Sequence, residues 1–150
     1  TRNYAQLGMT ATPLYQSHGV ASDGFIKLAG AEAAEGVRLP SGALLIAGIL
    51  PADDPQKKVV TDYKTSYEKT AKEPVSTFGG YAYDAMLILV DAMKRAKSLK
   101  GPDIRDAIEG TQKLVATTGV FSFTPKDHLG LDLSAFRMLE IQKGGWTLAK

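Results

Sequence analysis

The stretch from residue 55 to residue 97 constrains the fold of this chain more than any other. Asp53-Asp54-Pro55 opens it as a helix start, with an acidic cap before a proline at the first helical position. The helix runs to about residue 72, with Val59, Tyr63, Tyr67 and Ala71 spaced four apart on one apolar stripe, and Pro74 stops it. A second long helix follows from about 78 to 97. Ala82, Ala85, Met86, Leu89, Ala92, Met93 and Ala96 share one side of it, and Leu87, Ile88 and Val90 widen the apolar surface. Such a helix is expected to be nearly enclosed. Lys94, Arg95 and Lys97 suit the negative end of its dipole.

The flanks are shorter and mixed. Residues 3–8 read as the end of a helix stopped at Gly8, and Thr12 to Gln16 as a short strand following Pro13. Residues 17–20 form a loop, and Ser22-Asp23 caps a short helix through Phe25, Ile26 and Leu28 that ends at Gly30. Gly36 to Arg38 and Ala43 to Leu50 read as extended. The second is continuously apolar, as in a strand buried on both faces. Gly101-Pro102-Asp103 starts a third helix through Ile104, Ala107 and Ile108. Strands then follow at Val120–Phe123, Ala135–Gln142 and, after the Gly144-Gly145 turn, at Trp146-Thr147-Leu148. The expected class is α/β with an antiparallel close.

Composition narrows the function. Eighteen Lys and Arg against sixteen Asp and Glu give a net charge of +2, scattered along the chain, which argues against a nucleic-acid partner. No cysteine is present, so disulfides and thiolate chemistry are excluded. No run approaches the ~18 apolar residues of a membrane span. The opening Thr1-Arg2-Asn3-Tyr4 falls in mid-pattern, without a signal peptide, as expected of a mature piece or fragment. Two histidines, and no G-x-S-x-G, Walker or Rossmann glycine pattern, lead to the expectation of a non-enzyme with no cofactor and no metal.

Several stretches in order resemble the C-terminal part of the type I periplasmic binding proteins, the leucine/isoleucine/valine-binding family of ABC transporters. They are SHGVAS (17–22), AAEGV (33–37), LPADDPQKKVVTDYKTSYEK (50–69), PVSTFGGYAYDAMLILVDAMKRA (74–96), GVFSFTPKDHLGLD (119–132) and the closing Gly144-Gly145-Trp146. The resemblance covers essentially all 150 residues, while family members are more than twice as long. It implies a two-lobed fold that closes on a solute by hinge motion. Residues 1–50 would lie in the second lobe, 51–118 would supply first-lobe helices, and 119–150 the returning strands. It further implies a periplasmic, extracytoplasmic location, docking on ABC permease membrane subunits, and a small-molecule ligand that is a carboxylate, aromatic or otherwise, or an amino acid. A ligand-sensing domain of a receptor or regulator is the alternative use of the same fold. Apolar faces left uncovered are expected to favour a homodimer.

Within this frame His18 is the leading candidate ligand contact. It lies on a loop between strand and helix, beside Gly19, where α/β proteins place binding groups. The resemblance puts it in the cleft, at a position where amino-acid-binding members carry an acidic residue. The plain alternative is an exposed loop histidine. Gln16 and Ser17 could add hydrogen bonds, or simply solvate the loop. Phe78 and Gly80, with Gly79 and Tyr81, open the long helix. Their amides could meet an anion and the ring could cover an apolar ligand, or they could be an ordinary helix start with a packed Phe. His128 reads as a surface turn, Asp53 and Asp54 as helix caps, and Tyr63 and Tyr67 as core.

Overall fold

A computed structural model describes residues 1–149. The chain starts with α1 (Arg2–Gln6), a 3-10 turn at Met9–Ala11 and a second at His18–Val20. Then come α2 (Asp23–Ala29), α3 (Ala31–Ala34), β1 (Arg38–Ser41) and a 3-10 turn at Ala43–Ile46. The helical middle is α4 (Lys57–Ala71), α5 (Thr77–Arg95) and α6 (Gly101–Glu109). The chain closes with β2 (Leu114–Val115), β3 (Val120–Phe121), a 3-10 turn at Leu133–Ala135, β4 (Arg137–Gln142) and β5 (Gly145–Leu148).

β4 is the centre of an antiparallel sheet in the order β1-β4-β5, with Leu39 opposite Leu139 and Ile141 opposite Trp146. Leu39, Leu139 and Ile141 point to the buried side with no exposure at all, as the period of two along a strand requires. β2 and β3 form a separate hairpin. One core cluster joins Ala43, Leu44, Ile46, Ala47 and Leu50 to Val60 of α4, Val75 and Leu139. A second joins Ile26, Ala34 and Val37 to Ile141, and Trp146 packs on both. A third gathers Ala116, Phe121 and Phe123, with Leu87 and Ile88 of α5 and Ile108 of α6 packed against it.

The antiparallel α/β arrangement is the expected one, and so are the main helices. α2 has Ser22 as its cap, its hydroxyl accepting from the Phe25 amide at 3.2 Å, and ends at Gly30. Three readings need correction. Ala43–Leu50 is not a strand but a 3-10 turn followed by further turns. It is buried as expected, yet a short apolar run reads alike for a buried strand and a buried helical turn. Thr12–Gln16 forms only one bridge, Tyr15 beside Arg38.

The third correction concerns α5. It is not enclosed: Met86 is 58% exposed and Val90 41%, and Ala82 and Ala85 also face outward. Its buried side carries Thr77, Gly80, Asp84 and Ala92. Leu87 and Ile88 also pack inward on the third cluster, and Asp84 finds its partners on the same side.

Candidate functional site

The loop carrying His18 is fixed at both ends. Upstream, the Gln16 amide donates to the Arg38 carbonyl at 2.7 Å and the Arg38 amide to Leu14 at 3.0 Å, laying the segment along β1. Within the loop, the Ser17 hydroxyl oxygen accepts from the Gly19 amide at 3.4 Å, and the Ala21 amide donates to the His18 carbonyl at 3.0 Å. Downstream, Ala21 is fully buried, and its carbonyl accepts from the Thr77 hydroxyl at 3.3 Å. Thr77 is the first residue of α5, so this one bond joins the His18 loop to the start of the long helix.

Exposed side chains lie on both elements that this bond joins. Phe78, next to Thr77, is 58% exposed and meets Tyr81 edge-on with ring centroids 6.1 Å apart. His18 is exposed, and its ring lies 6.1 Å from that of Phe136. Among the described residues the imidazole has no hydrogen-bond or ion-pair partner. Phe136 was not singled out in the sequence, where it reads as one more residue of the Ala135–Gln142 strand. Its exposure comes from sitting between the Leu133–Ala135 turn and β4.

The two glycines serve the helix start itself. The Gly79 amide donates to the Ser76 hydroxyl oxygen and the Gly80 amide to the Ser76 carbonyl, each at 3.2 Å. A Cβ on Gly80 would lie 2.9 Å from both Leu44 Cδ2 and Thr117 Oγ1, and one on Gly79 would lie 2.8 Å from Tyr63 Oη. Gly80 is buried, so the missing side chain is filled by neighbours. Gln16 is half-buried and Ser17 exposed.

Behind this surface runs a buried polar network. Asp84 accepts from the amides of Thr117 and Thr118 at 2.8 and 2.7 Å. Gln56 donates its side-chain amide to the carbonyls of Ala116 and Thr117, and its own carbonyl accepts from Arg137 at 3.1 Å. Arg137 also pairs with Asp54 at 2.7 Å, one residue from Phe136. Asp54 accepts from the Gln56 amide at 2.8 Å, as a cap would, but α4 itself begins only at Lys57. The network ties the 116–118 turn to α5, to the approach to α4 and to β4, and so holds Phe78 and Phe136 on one body.

The remaining candidates lie apart. His128 sits on its turn with Nε2 3.3 Å from Glu109, beside a groove of about 310 Å³ floored by Ile104, Ile108 and Phe123. Tyr63 and Tyr67 pack on the first core cluster, and Tyr63 stacks obliquely on Tyr83 at 4.8 Å. Burial holds the Tyr63 hydroxyl above its ordinary pKa. No three potential metal ligands cluster among the described residues.

On this α/β body a loop, a helix start and a strand start each expose an imidazole or an aromatic ring. The chain belongs to the periplasmic binding protein family, which residues 1–145 match. Among solved structures it is similar to an extracellular ligand-binding receptor from Rhodopseudomonas palustris HaA2, at 31% identity and a TM-score of 0.80, over 90% of this chain and 39% of that one. It shares its fold with a leucine-binding protein of Thermotoga maritima (21%, TM-score 0.76, 99% and 39%). The same holds for a branched-chain amino acid transporter substrate-binding protein of Streptococcus pneumoniae in complex with isoleucine (23%, TM-score 0.68, 97% and 39%). No curated protein matches significantly. The chain thus spans about two fifths of the length of these structures.

Proposed function

We propose that this chain is part of the substrate-binding component of an ABC importer, and that it lends one wall to an interlobe cleft for a small organic acid or amino acid. His18, with Ser17 and Gln16 on its loop, would supply polar contacts; Phe78 and Phe136 would cover the ligand body. Gly80 would act indirectly, by letting α5 seat against Leu44 and Thr117. Residues 1–149 would form this wall as one unit during hinge closure, a reading supported by the packing of residues 43–50 on Val60, Val75 and Leu139. The loaded protein would work outside the cytoplasm and deliver its solute to membrane permease subunits, without turnover.

The observation that carries this reading is the Thr77–Ala21 hydrogen bond, which brings a solvent-facing loop and the start of α5 together beneath exposed His18 and Phe78. Such a surface suits ligand capture, where a few polar groups orient a mostly apolar contact. The test is a thermal-shift screen of the complete protein carrying this sequence, against amino acids and organic acids. A ligand at a hundred times its Kd should stabilise by about 2.7 kcal/mol, a shift of several degrees. If no member of either class moves the transition, the reading is wrong.

A further inference from the structure

The geometry points to a second ligand site on this chain, the groove between α6 and the 123–130 segment, with a small apolar amine, an alkyl or arylalkyl ammonium, as its ligand. The site lies apart from the His18 loop and does not depend on the cleft wall proposed above.

The groove follows from the spacing of α6. Gly101, Ile104, Arg105, Ile108 and Glu109 recur three and four residues apart on one face of that helix, and all of them line the groove. Phe123 lines the opposite side and is only 7% exposed. Its amide donates to the Thr111 carbonyl at 2.9 Å, and its carbonyl accepts from the Gln112 side chain at 2.7 Å. Its ring stacks on Phe121 with centroids 5.5 Å apart. The turn that carries His128 is set by Asp127, whose Oδ1 accepts from the Leu129 and Gly130 amides at 2.9 and 3.2 Å. Both walls are thus fixed by internal bonds. They enclose about 310 Å³ over an apolar floor, the size of a small-molecule site.

Charge decides what this hollow takes. Glu109 is the carboxylate that lines it, and its side chain is only 17% exposed. Glu109 Oε1 meets both neighbouring basic side chains, His128 at 3.3 Å and Arg105 at 3.8 Å, while Oε2 has no partner among the described residues. Arg105 is engaged elsewhere, since its guanidinium donates to Asp106 at 3.2 and 2.6 Å. His128 is charged only when protonated. Asp103 accepts from Ser98, and Lys126 and Asp127 do not line the groove. With Arg105 and Asp106 cancelling each other, a largely desolvated carboxylate keeps one free oxygen above an apolar floor. Such an oxygen gains most from a cation that donates a hydrogen bond, and the floor from the hydrocarbon attached to that cation.

The experiment follows the histidine ring signals of the complete protein by NMR at about pH 8, where an ordinary imidazole is neutral. The probes are phenethylamine, which is protonated there, phenethyl alcohol and 3-phenylpropanoate, and the His128 signal is identified by its loss in His128→Gln. The expected result is a saturable shift of His128 with the amine, at least tenfold weaker binding of the alcohol and no response to the acid. Glu109→Gln should weaken the amine about tenfold to a hundredfold, the loss of one hydrogen bond to a charged group. Ile108→Ala should weaken amine and alcohol alike. An amine that leaves the His128 signal in place, even while moving that of His18, overturns the inference. So does an alcohol or acid that binds as tightly as the amine, or unaltered amine affinity in Glu109→Gln with its melting temperature retained. If Glu109→Gln does not fold, the three probes on the parent protein still decide.

Discussion

Asp84 and Gly80 lie four residues apart on the buried side of α5, and both act through partners that are distant in sequence. Asp84 caps amides 33 and 34 residues away, and Gln56 donates to carbonyls 60 and 61 residues away. No local pattern announces such pairs, and a lone Asp in an apolar helix reads as solvent-facing. The exposed loop position of His18 was legible because the loop signals and the neighbouring glycine are local. Phe136 was not, because its exposure depends on how β4 meets its turn. Asp84→Ala would strand two amides, one of them buried, each at a cost of about 1–3 kcal/mol, so a total loss near 3 kcal/mol is expected. Asp84→Asn, which keeps one acceptor, should lose less; urea midpoints would show the order. Gly80→Ala should destabilise by about 1–3 kcal/mol, because its Cβ meets Leu44 and Thr117 at 2.9 Å. If Gly80 only shapes the helix seat, ligand affinity of the folded variant stays within twofold of the parent. A stable variant with lost binding would instead make Gly80 a direct contact.

At the scale of elements, helix ends were the most legible feature, since caps are local chemistry. Ser22, Gly30, Pro74 and Pro102 mark boundaries within a residue or three of those observed. The apolar run 43–50 was misread because burial alone does not choose between strand and turn. α5 was read as nearly enclosed because the sequence shows where the apolar residues lie but not which neighbours are present. α4 carries a testable electrostatic device. Lys64 hydrogen-bonds Glu68 and holds its carboxyl below the usual range; desolvation is the next largest effect and opposes this, while the Lys64 charge and the Val75 amide add smaller lowering contributions. A carboxyl whose pKa is lower folded than unfolded stabilises fully above its unfolded value near ~4.3, and this contribution fades as pH falls through the folded value. Glu68→Gln should therefore be less stable than the parent at neutral pH and converge with it in acid. Because both side chains are partly exposed, the neutral-pH gap should also shrink in about 1 M salt. A gap independent of pH would assign Glu68 a packing role instead.

At the scale of the whole molecule, the family pattern was legible because all its stretches appear in order, whereas the exposed surfaces follow from what surrounds the chain. One such surface is the outward side of α5. Tyr83, Met86, Val90 and Met93 are 39%, 58%, 41% and 36% exposed, and their spacing of three, four and three residues is that of a helix–helix seam. Soluble monomers rarely leave a contiguous apolar patch of more than a few hundred Å² open to water. The solved relatives have about two and a half times the length this chain covers in them, so their folds contain material that this chain on its own does not supply. The 150-residue chain alone is therefore expected to self-associate through α5, most simply as a dimer about a two-fold axis that pairs the two seams. Light scattering over a dilution series should show the mass rise with concentration. Met86→Lys combined with Met93→Lys places two charges on the seam and none in the core, and should return the chain to a monomer with unchanged helical circular dichroism. Monomeric behaviour of the parent chain at high concentration, or equal association of the double variant, would show that this face tolerates water and that its apolar residues need no partner.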